Sequence, residues 1–383
     1  MLGKFKLTLG CALVMVLATA SVTVFAQNKV VVIPMSGDDA KPLANIVTVA
    51  KANGDFTDPV AAMDSISDAS ASNPYLIVIA PGVYPIASII NMKQYVDVSG
   101  SGQNATVLLG TVSTTVRNES AVFNGNRNSG VRSLTIRHSS TSGNNALGFY
   151  LSSDDGILID DVRIEIDGPG SNYGIYANSS DFSLSNSTIE LSDGNDVNGV
   201  YILSGVFNSH NNLIQLSDCT LATGILVNTG NANIIGNRIT IDGCTSIQAG
   251  IHFNSSIDGV VSGSSIDIDS SSGNKYGIYS NSASKGLYSG LRIEVTGASG
   301  SNYGIYSNSS TNRSRITGVD ILAASAAVRS SNSTNATAGH TFISNAVFRE
   351  GLVDGAVSKL HCSFVFDESA PTAPIELGAN CAN

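Results

Sequence analysis

The sequence GSNYGIYANSS at residues 170–180 returns as GSNYGIYSNSS at residues 300–310, with a single substitution. A near-verbatim copy is typical of an architectural unit, because a repeated unit buries its apolar face by stacking on its neighbours. A glycine or alanine at the centre of the motif recurs every 23 to 27 residues. These positions are Ala121, Gly148, Gly174, Gly199, Gly224, Gly250, Gly277, Gly304 and Ala327. The pattern predicts one continuous array of repeats.

Apolar residues alternate within each repeat, which is the period of a β-strand and not of a helix. The first strand of each unit contributes a predicted inward column: Phe149, Ile175, Val200, Ile225, Ile251, Ile278, Ile305 and Val328. The third strand contributes two inward residues per unit, from Ile164 with Ile166 to Ile293 with Val295. Three short strands per repeat predict an all-β fold, a right-handed parallel β-helix (solenoid) of about 10 coils.

A column of Asp, Asn and Gly between the second and third strands predicts a corner. These residue types tolerate positive φ better than others do. The column consists of Asp161, Asn186, Asn211, Gly236, Gly263, Gly290, Gly318 and Asn345. A second column is predicted to stack its amides along the axis, as in other ladders: Asn178, Asn228, Asn254, Asn281 and Asn308.

Composition and charge exclude several classes. The chain has 42% hydrophobic residues, 38 Gly and only 13% charged residues, which favours a packed solenoid over a disordered chain. The formal net charge of −10 argues against a nucleic-acid partner. After the first 26 residues, no stretch is long and apolar enough to suggest a membrane span.

The chain is predicted to have three parts. Residues 1–26 resemble a signal peptide, with Lys4 and Lys6 before an apolar run, so a secreted, periplasmic or cell-surface location is expected. Residues 27–350 are assigned to the β-helix and its N-terminal cap, a helix at about 59–69 with Asp58 as N-cap and Pro59 at its first position. Residues 351–383 are assigned to a C-terminal cap.

Four cysteines follow the predicted signal peptide. Cys219 and Cys244 occupy the same position in adjacent repeats, so their Cα atoms are expected one coil apart and within disulfide range. Cys362 and Cys381 form a second candidate pair in the C-terminal segment. Disulfides suit an exported protein, and free buried thiols are the alternative.

The segments ANGDFTDPVAAMDSI (52–66), YLIVIAPGVYPI (75–86) and YVDVSGSGQNATVLLG (95–110) resemble the opening of pectin methylesterases and of the wider pectin-lyase-like β-helix superfamily. In pectin methylesterases these residues build the cap and the first coils. The later repeats look like those of secreted bacterial β-helix proteins without an established activity. The esterases' catalytic motifs, including an Arg-Pro-Trp element, are not recognisable, and the chain has no Trp. No catalytic residue is therefore carried over.

Other candidate chemistry lies in the columns and turns. Glu165 and Glu190 are expected one coil apart, a spacing that could suit a retaining glycosidase, but a solvated, ion-paired face is favoured. The paired Asp154 and Asp155 in SSDDGILIDD (152–161) resemble those of polygalacturonases, although turn formation or a Ca²⁺ site explains them better. Ca²⁺ is the one candidate cofactor. The five His residues show no metal-ligand spacing.

Tyrosines form the most distinctive predicted surface. Tyr150, Tyr176, Tyr201, Tyr279 and Tyr306 are expected to project outward in one column, beside a glycine column that leaves a shallow track. Such rings either hold sugars or stack on each other. The favoured hypothesis is an exported, non-catalytic β-helix that binds polysaccharide or a cell-surface glycan. A diverged lyase, hydrolase or pectinesterase-like enzyme and a homotrimeric fibre or spike module remain alternatives.

Overall fold

The computed structural model describes residues 45–255, 257–281, 285–308, 313–330, 341–350, 353–355, 360–367 and 375–376. All of them belong to the unit Leu43–Asn383. They form a parallel β-solenoid of about 11 turns, so the predicted fold class is confirmed. The predicted signal peptide, residues 1–26, lies outside the described residues.

Each coil contributes strands to three faces, which we name in chain order within a coil. The first face contains the strands Ile90–Asn91, Ala121–Asn124, Asn145–Ser152, Ser171–Asn178, Asp196–Ile202, Leu221–Val227, Gln248–Phe253, Lys275–Ser280, Asn302–Ser307, Ala326–Ser330 and Val353–Gly355. Each strand pairs in parallel with the equivalent strand one coil away.

The second and third faces form one continuous sheet. The second face contains Asn45–Val49, Tyr75–Ile79, Val96–Ser99, Asp181–Ser185, Val206–His210, Gly230–Ile235, Ile257–Ser262, Lys285–Ser289 and Arg313–Thr317. The third face contains Gly82–Ile86, Thr106–Gly110, Thr188–Ser192, Leu213–Ser217, Arg238–Asp242, Ser265–Asp269, Arg292–Thr296 and Asp320–Ala323. Four long strands pair across both faces: Gly130–Ser139, Asp155–Asp167, Thr341–Glu350 and Leu360–Asp367.

The predicted core and corner columns are confirmed. Every member of the first-face inward column is at most 2% exposed, and the third-face Ile, Leu and Val residues are equally buried. All eight corner residues have positive φ, from 50° at Asn186 to 66° at Gly236. The amide ladder forms from Asn228 onward, because Asn254 donates to Asn228 at 2.6 Å and Asn281 donates to Asn254 at 3.1 Å. Asn308 donates to Asn281 at 3.3 Å. Asn178 is separated from the ladder by one coil, in which Leu203 holds the equivalent position.

The first-face strands share a local irregularity at the central glycine, which we call the glycine bulge. The pairing passes from Tyr173↔Asn198 to Ile175↔Val200 without a change of register, so Gly174 and Gly199 are skipped together. A Cβ on Gly174 would point into the core, 2.8 Å from Cγ2 of Ile189. The glycine column therefore lies inside the solenoid. The expectation that it borders the tyrosines as an open track is wrong, because the bulge turns two consecutive residues inward.

The N-terminal helix is shorter than predicted and spans Pro59–Ser65. Its start is as expected, since the Asp58 side chain accepts a hydrogen bond from the Val60 N–H. It ends early because Ile66 is extended (φ −81°, ψ 121°) and because Lys93 binds the carbonyl oxygens of Asp64 and Ile66. Within the described residues, no helix is long and apolar enough to cross a membrane.

The segment predicted to form the C-terminal cap, residues 351–383, contains further strands of the solenoid among its described residues. Val353–Gly355 pairs in parallel with the first-face strand before it, and Leu360–Asp367 pairs in parallel with Thr341–Glu350. Ile375–Glu376 then pairs antiparallel to Leu360–Asp367. Parallel stacking persists because Cys362 and Val365 are still buried in the main core.

The stacked cysteines form a disulfide, as predicted. Cys219 and Cys244 are bonded across adjacent coils with their Cα atoms 4.4 Å apart. Cys362 is also disulfide-bonded. Its proposed partner Cys381 lies outside the described residues, so that pairing stays a prediction.

Candidate functional site

The five predicted tyrosines lie in one column of the first face, and their backbones are in register. Tyr150, Tyr176 and Tyr201 occupy three consecutive coils, and Tyr279 and Tyr306 occupy two more. Leu226 and His252 fill the two coils between these groups. The sequence predicted outward, exposed rings. In the structure all five tyrosines are half-buried, because their rings pack on one another.

The first tyrosine cluster, Tyr150, Tyr173, Tyr176 and Tyr201, is a stack with one perpendicular ring. Tyr176 lies between its neighbours, with ring centroids 5.6 Å from Tyr150 and 4.9 Å from Tyr201 at interplanar angles of 2° and 11°. Tyr173 packs edge-on against Tyr176 and Tyr201. Both faces of the Tyr176 ring are therefore occupied, and the cluster presents ring edges and hydroxyl groups outward.

An arginine and an aspartate complete this cluster. The Arg117 guanidinium lies over Tyr173 and Tyr176, 5.2 and 5.0 Å from their ring centroids. Arg117 donates to the Tyr173 hydroxyl at 3.1 Å, and that hydroxyl donates to Asp196 at 3.0 Å. Burial, helped by the Asp196 charge, raises the pKa of Tyr173 to about 12. Tyr173 therefore stays a neutral donor.

The second tyrosine cluster repeats the arrangement with Tyr276, Tyr279, Tyr303 and Tyr306. Tyr276 stacks on Tyr279 at 4.8 Å and on Tyr303 at 5.5 Å. Arg329 lies over Tyr303 and Tyr306, 5.2 and 5.5 Å from the ring centroids. It also donates a hydrogen bond to the Tyr303 hydroxyl. Both clusters are thus aromatic groups with a guanidinium on one side.

Sequence reasoning missed Tyr173, Tyr276 and Tyr303. Strict alternation places them on the same side as the inward isoleucines. The bulge reverses this, because Gly174 and Ile175 both face the core and Tyr173 falls on the outer side with Tyr176. The available signal was the NYGIY motif itself, in which two tyrosines flank the same glycine–isoleucine pair in both quoted copies.

A gap with shorter side chains separates the two clusters. The column that holds Tyr173 and Tyr276 continues between them through Asn198, Thr223 and Ala249. Beside this gap, the His252 ring stacks on Tyr279 with centroids 4.6 Å apart. Its Nε2 is buried and has no hydrogen-bond partner among the described residues. Burial lowers the pKa of His252 to about 4, so the ring is neutral.

The acidic side chains of the third face form the predicted ion-paired surface. Arg163 bridges two coils, with Nε 2.6 Å from Glu165 and Nη2 2.6 Å from Glu190. Arg137 also pairs with Glu165. A retaining glycosidase needs one protonated carboxyl group and one free carboxylate nucleophile. Glu165 and Glu190 instead both form an ion pair with the same guanidinium, which disfavours the enzymatic interpretation.

Asp154 and Asp155 differ in their surroundings. Asp154 is buried and accepts a hydrogen bond from the Ser152 N–H at 3.0 Å, and burial raises its pKa. Asp155 is exposed and lies 4.0 Å from Arg127. Across the described part of the chain, no group of three or more His, Cys, Asp or Glu side chains could hold a metal ion. The Ca²⁺ site stays a prediction.

The chain matches a protein-family model. The family model described as rhamnogalacturonase A/epimerase, pectate lyase-like matches residues 43–249, which is more than half of the chain. The chain belongs to this family. The match begins just before the first described strand and extends through the disulfide-linked coils, so the resemblance to the pectin-lyase-like superfamily predicted from residues 52–110 is confirmed. A search of curated proteins found no match.

Solved structures similar to this pectate lyase-like chain share its fold. The catalytic domain of a GH87 α-1,3-glucanase in complex with tetrasaccharides has a TM-score of 0.51 and 13% identity, with 83% of this chain and 60% of that chain covered. The chain thus spans about 60% of that domain's length. The catalytic unit of a GH87 α-1,3-glucanase from Streptomyces thermodiastaticus strain HF3-3 has a TM-score of 0.45 and 14% identity, covering 88% and 72%.

A third similar structure is the A-module of a mannuronan C-5 epimerase from Azotobacter vinelandii. Its TM-score is 0.44 at 15% identity, and 82% of this chain and 94% of that chain are covered. At 13% identity, the glucanase domain with the TM-score of 0.51 supports the parallel β-helix fold alone. The activity of this pectate lyase-like member has to be argued from its own side chains.

Proposed function

We propose that this protein is exported and binds polysaccharide along its first face without cleaving it. The observation that carries the proposal is the pair of tyrosine clusters in register on one face of a polysaccharide-associated fold family. The clusters are separated by the Asn198–Thr223–Ala249 gap. Sugar rings combine apolar CH groups with hydroxyls, and tyrosine offers matching apolar and polar atoms.

The three stacked tyrosines of the first cluster provide free hydroxyl groups. Tyr150, Tyr176 and Tyr201 each have a half-buried ring whose hydroxyl has no hydrogen-bond partner among the described residues. The rings repeat once per coil, at about 4.8 Å. An extended glycan that runs parallel to the solenoid axis would meet the same edge and hydroxyl at each coil.

We base the proposal that the bound polysaccharide is not cleaved on the charged groups of the described coils. The adjacent glutamates of the third face share Arg163. Asp196, the carboxylate bonded to the first cluster, accepts hydrogen bonds from Tyr173 and Asn198. Its oxygen atoms therefore hold neighbouring side chains in place.

Binding is tested by removing hydroxyls while keeping the stack. The triple variant Tyr150→Phe, Tyr176→Phe, Tyr201→Phe should keep the melting temperature and lower glycan affinity at least about tenfold, because each of the three lost hydrogen bonds contributes about 0.5–1.5 kcal/mol. Affinity is measured on a glycan array and then by titration with the best glycan. Ser183→Ala, which removes an outward hydroxyl on the second face, is the matched control. Unchanged affinity in the triple variant would mean that the tyrosines do not bind the glycan and have only a structural role.

Export is part of the proposal and rests on the N-terminal pattern and on the disulfide. Lys4 and Lys6 precede the apolar run from Leu7, and the Cys219–Cys244 bond suits an oxidising compartment. Mass spectrometry of the protein recovered from culture medium and periplasm should find a mature N-terminus at Gln27. A full-length chain confined to the cytoplasm would contradict export.

A diverged polysaccharide-active enzyme is the second candidate, favoured by the family. Reducing-sugar and unsaturated-product assays on a panel of polysaccharides separate this candidate from a binding protein. Product formation that Glu165→Gln abolishes would establish the enzyme. The homotrimeric module is the third hypothesis, and sedimentation equilibrium tests it directly.

A further inference from the structure

The third face carries a cleft that the first-face proposal does not use. Its volume is about 730 Å³, and it is lined by side chains of the coils from Leu109 to Asp242. The lining alternates between buried apolar residues and outward polar side chains. The cleft lies on a different face from the tyrosines and shares no residue with either cluster.

Polar side chains cross the cleft in two parallel rows. The first row is in register through Glu165, Glu190, Gln215 and Thr240, with Arg137 one coil before them. The second row lies two residues further along each strand and includes Ser192, Ser217 and Asp242, in register. From Arg137 to Thr240 the cleft spans four coil steps, or roughly 19 Å at about 4.8 Å per step.

The regular repeat of these rows fits a polymer. Each coil offers one or two hydrogen-bonding side chains at the same lateral position, so a ligand with a repeating unit close to the coil rise meets equivalent partners along its length. An extended chain of pyranose units has that property. A compact small molecule would use only one or two of these repeated positions.

The charge of the cleft selects the kind of glycan. Glu165, Asp167, Glu190 and Asp242 line it, against the single guanidinium of Arg137. Arg163 and Arg137 neutralise the two glutamates. Within the described residues, no ion pair engages Asp167 or Asp242. These two carboxylates repel a polyuronate or a sulfated glycan and accept hydrogen bonds from hydroxyl or ammonium groups.

We propose that the third-face cleft binds an extended glycan that carries no acidic groups. The glycan lies parallel to the solenoid axis, and Gln215, Thr240 and Ser217 contact its hydroxyls at the centre of the cleft. Asp167 and Asp242 exclude polyuronates. The site is separate from the tyrosine clusters and stands or falls independently of them.

The experiment uses three probes of equal length: a neutral glucan pentasaccharide, a chitosan pentasaccharide and a pentagalacturonate. Titration calorimetry measures the affinity of the full chain for each. The wild-type protein should bind the neutral and amino-sugar probes and bind pentagalacturonate at least about tenfold more weakly. Equal or tighter binding of pentagalacturonate would overturn the proposal.

Variants then locate the binding. Gln215→Ala with Ser217→Ala should lower affinity for the neutral probe about tenfold. Ser183→Ala, an outward serine of the second face, is the matched control. Asp167→Asn with Asp242→Asn should reduce the discrimination against pentagalacturonate. Melting temperatures show whether each variant is folded. We expect little change, because substitutions of outward side chains usually affect stability only slightly.

The outcomes separate the two proposals. Affinity lost in the Gln215/Ser217 variant but kept in the Tyr150/Tyr176/Tyr201 phenylalanine variant supports the cleft and counts against the first face. The reverse pattern overturns the cleft and leaves the first-face proposal standing. Failure of the wild-type protein to bind either non-acidic probe would also overturn the cleft proposal.

Discussion

Gly224 and Gly250 lie in adjacent coils so close together that a Cβ on Gly224 would be 2.5 Å from the carbonyl oxygen of Gly250. The same Cβ would lie 2.6 Å from Cγ2 of Ile239. We expect Gly224→Ala to destabilise the protein by about 2–3 kcal/mol, because neither the backbone nor the buried isoleucine can move freely. Chemical denaturation measures the change.

Gly263→Asn provides the control for that substitution. Gly263 occupies the corner column at φ +58°, a Cβ on it would meet no atom within 4 Å, and Asn211 already holds the same conformation at φ 56°. The free energy of unfolding should change by less than about 1 kcal/mol. If Gly224→Ala were as well tolerated as Gly263→Asn, the close contact between coils would be refuted.

His252 should make the protein less stable in mild acid. Burial holds its pKa at about 4, against 6.5 for the ordinary side chain. The unfolded chain therefore takes up a proton as the pH falls below about 6.5, whereas the folded protein does not until about pH 4. The free energy of unfolding should fall through this window, and thermal unfolding at a series of pH values measures it.

His252→Leu should remove that part of the pH dependence. Leucine already occupies the equivalent position one coil earlier, at Leu226, and it has no ring nitrogen to leave unpaired. The variant should match or exceed the wild-type stability near pH 5. An unchanged slope of stability against pH between 6.5 and 4 would show that other groups cause the acid sensitivity.

Lys275 is fully buried, and its ammonium group is held by three oxygen atoms. Nζ donates to the carbonyl oxygens of Gly273 at 3.2 Å and Ser299 at 2.7 Å and to Oδ1 of Asn302 at 3.2 Å. Burial lowers the pKa of Lys275. Lys275→Met should cost about 2–4 kcal/mol in stability, because these acceptors lose their donor inside the protein.

Lys275→Gln should cost much less than Lys275→Met. One coil earlier, Gln248 occupies the same position, and its Nε2 donates to three carbonyl oxygens, those of Cys244, Ser246 and Ser272. Denaturation of both variants provides the comparison. Equal losses would mean that the volume of the side chain, and not its hydrogen bonds, determines stability at this site.

The Cys219–Cys244 disulfide should stabilise the central coils. The bond encloses a sequence separation of 25 residues, for which the chain-entropy model gives about 3.5 kcal/mol. Cys219→Ala with Cys244→Ala should lose a stability of that order, and so should the reduced wild-type protein. Peptide mapping without reduction should recover the linked pair, whereas two freely alkylated thiols would contradict the bond.

The periodic features of this protein were predictable because each depends on contacts that repeat once per coil. The isoleucine columns, the positive-φ corner at Asn186 and Asn211 and the amide ladder at Asn254 all follow from stacking identical positions. The disulfide follows for the same reason. A residue that occupies the same place in every coil has its neighbours specified by the sequence period alone.

The lateral arrangement of the candidate site could not be predicted in the same way. A glycine bulge reverses the side on which Tyr173 lies, and alternation carries no sign of it. Arg117 lies in a 3₁₀ turn (Arg117–Glu119) outside the repeat, so no period relates it to the tyrosines. The shape of the third-face cleft depends on how far neighbouring side chains project from the sheet. The residue types in a column do not specify that distance.

The register of the coils has a consequence for how the molecule can change over evolutionary time. Each coil pairs with the one before and the one after, and every column carries compatible residues from coil to coil. Duplicating or deleting one whole period therefore preserves the pairing, the inward columns and the corner on both sides of the junction. The length of the contact surface can therefore change in steps of one coil, and the remaining coils need no compensating substitutions.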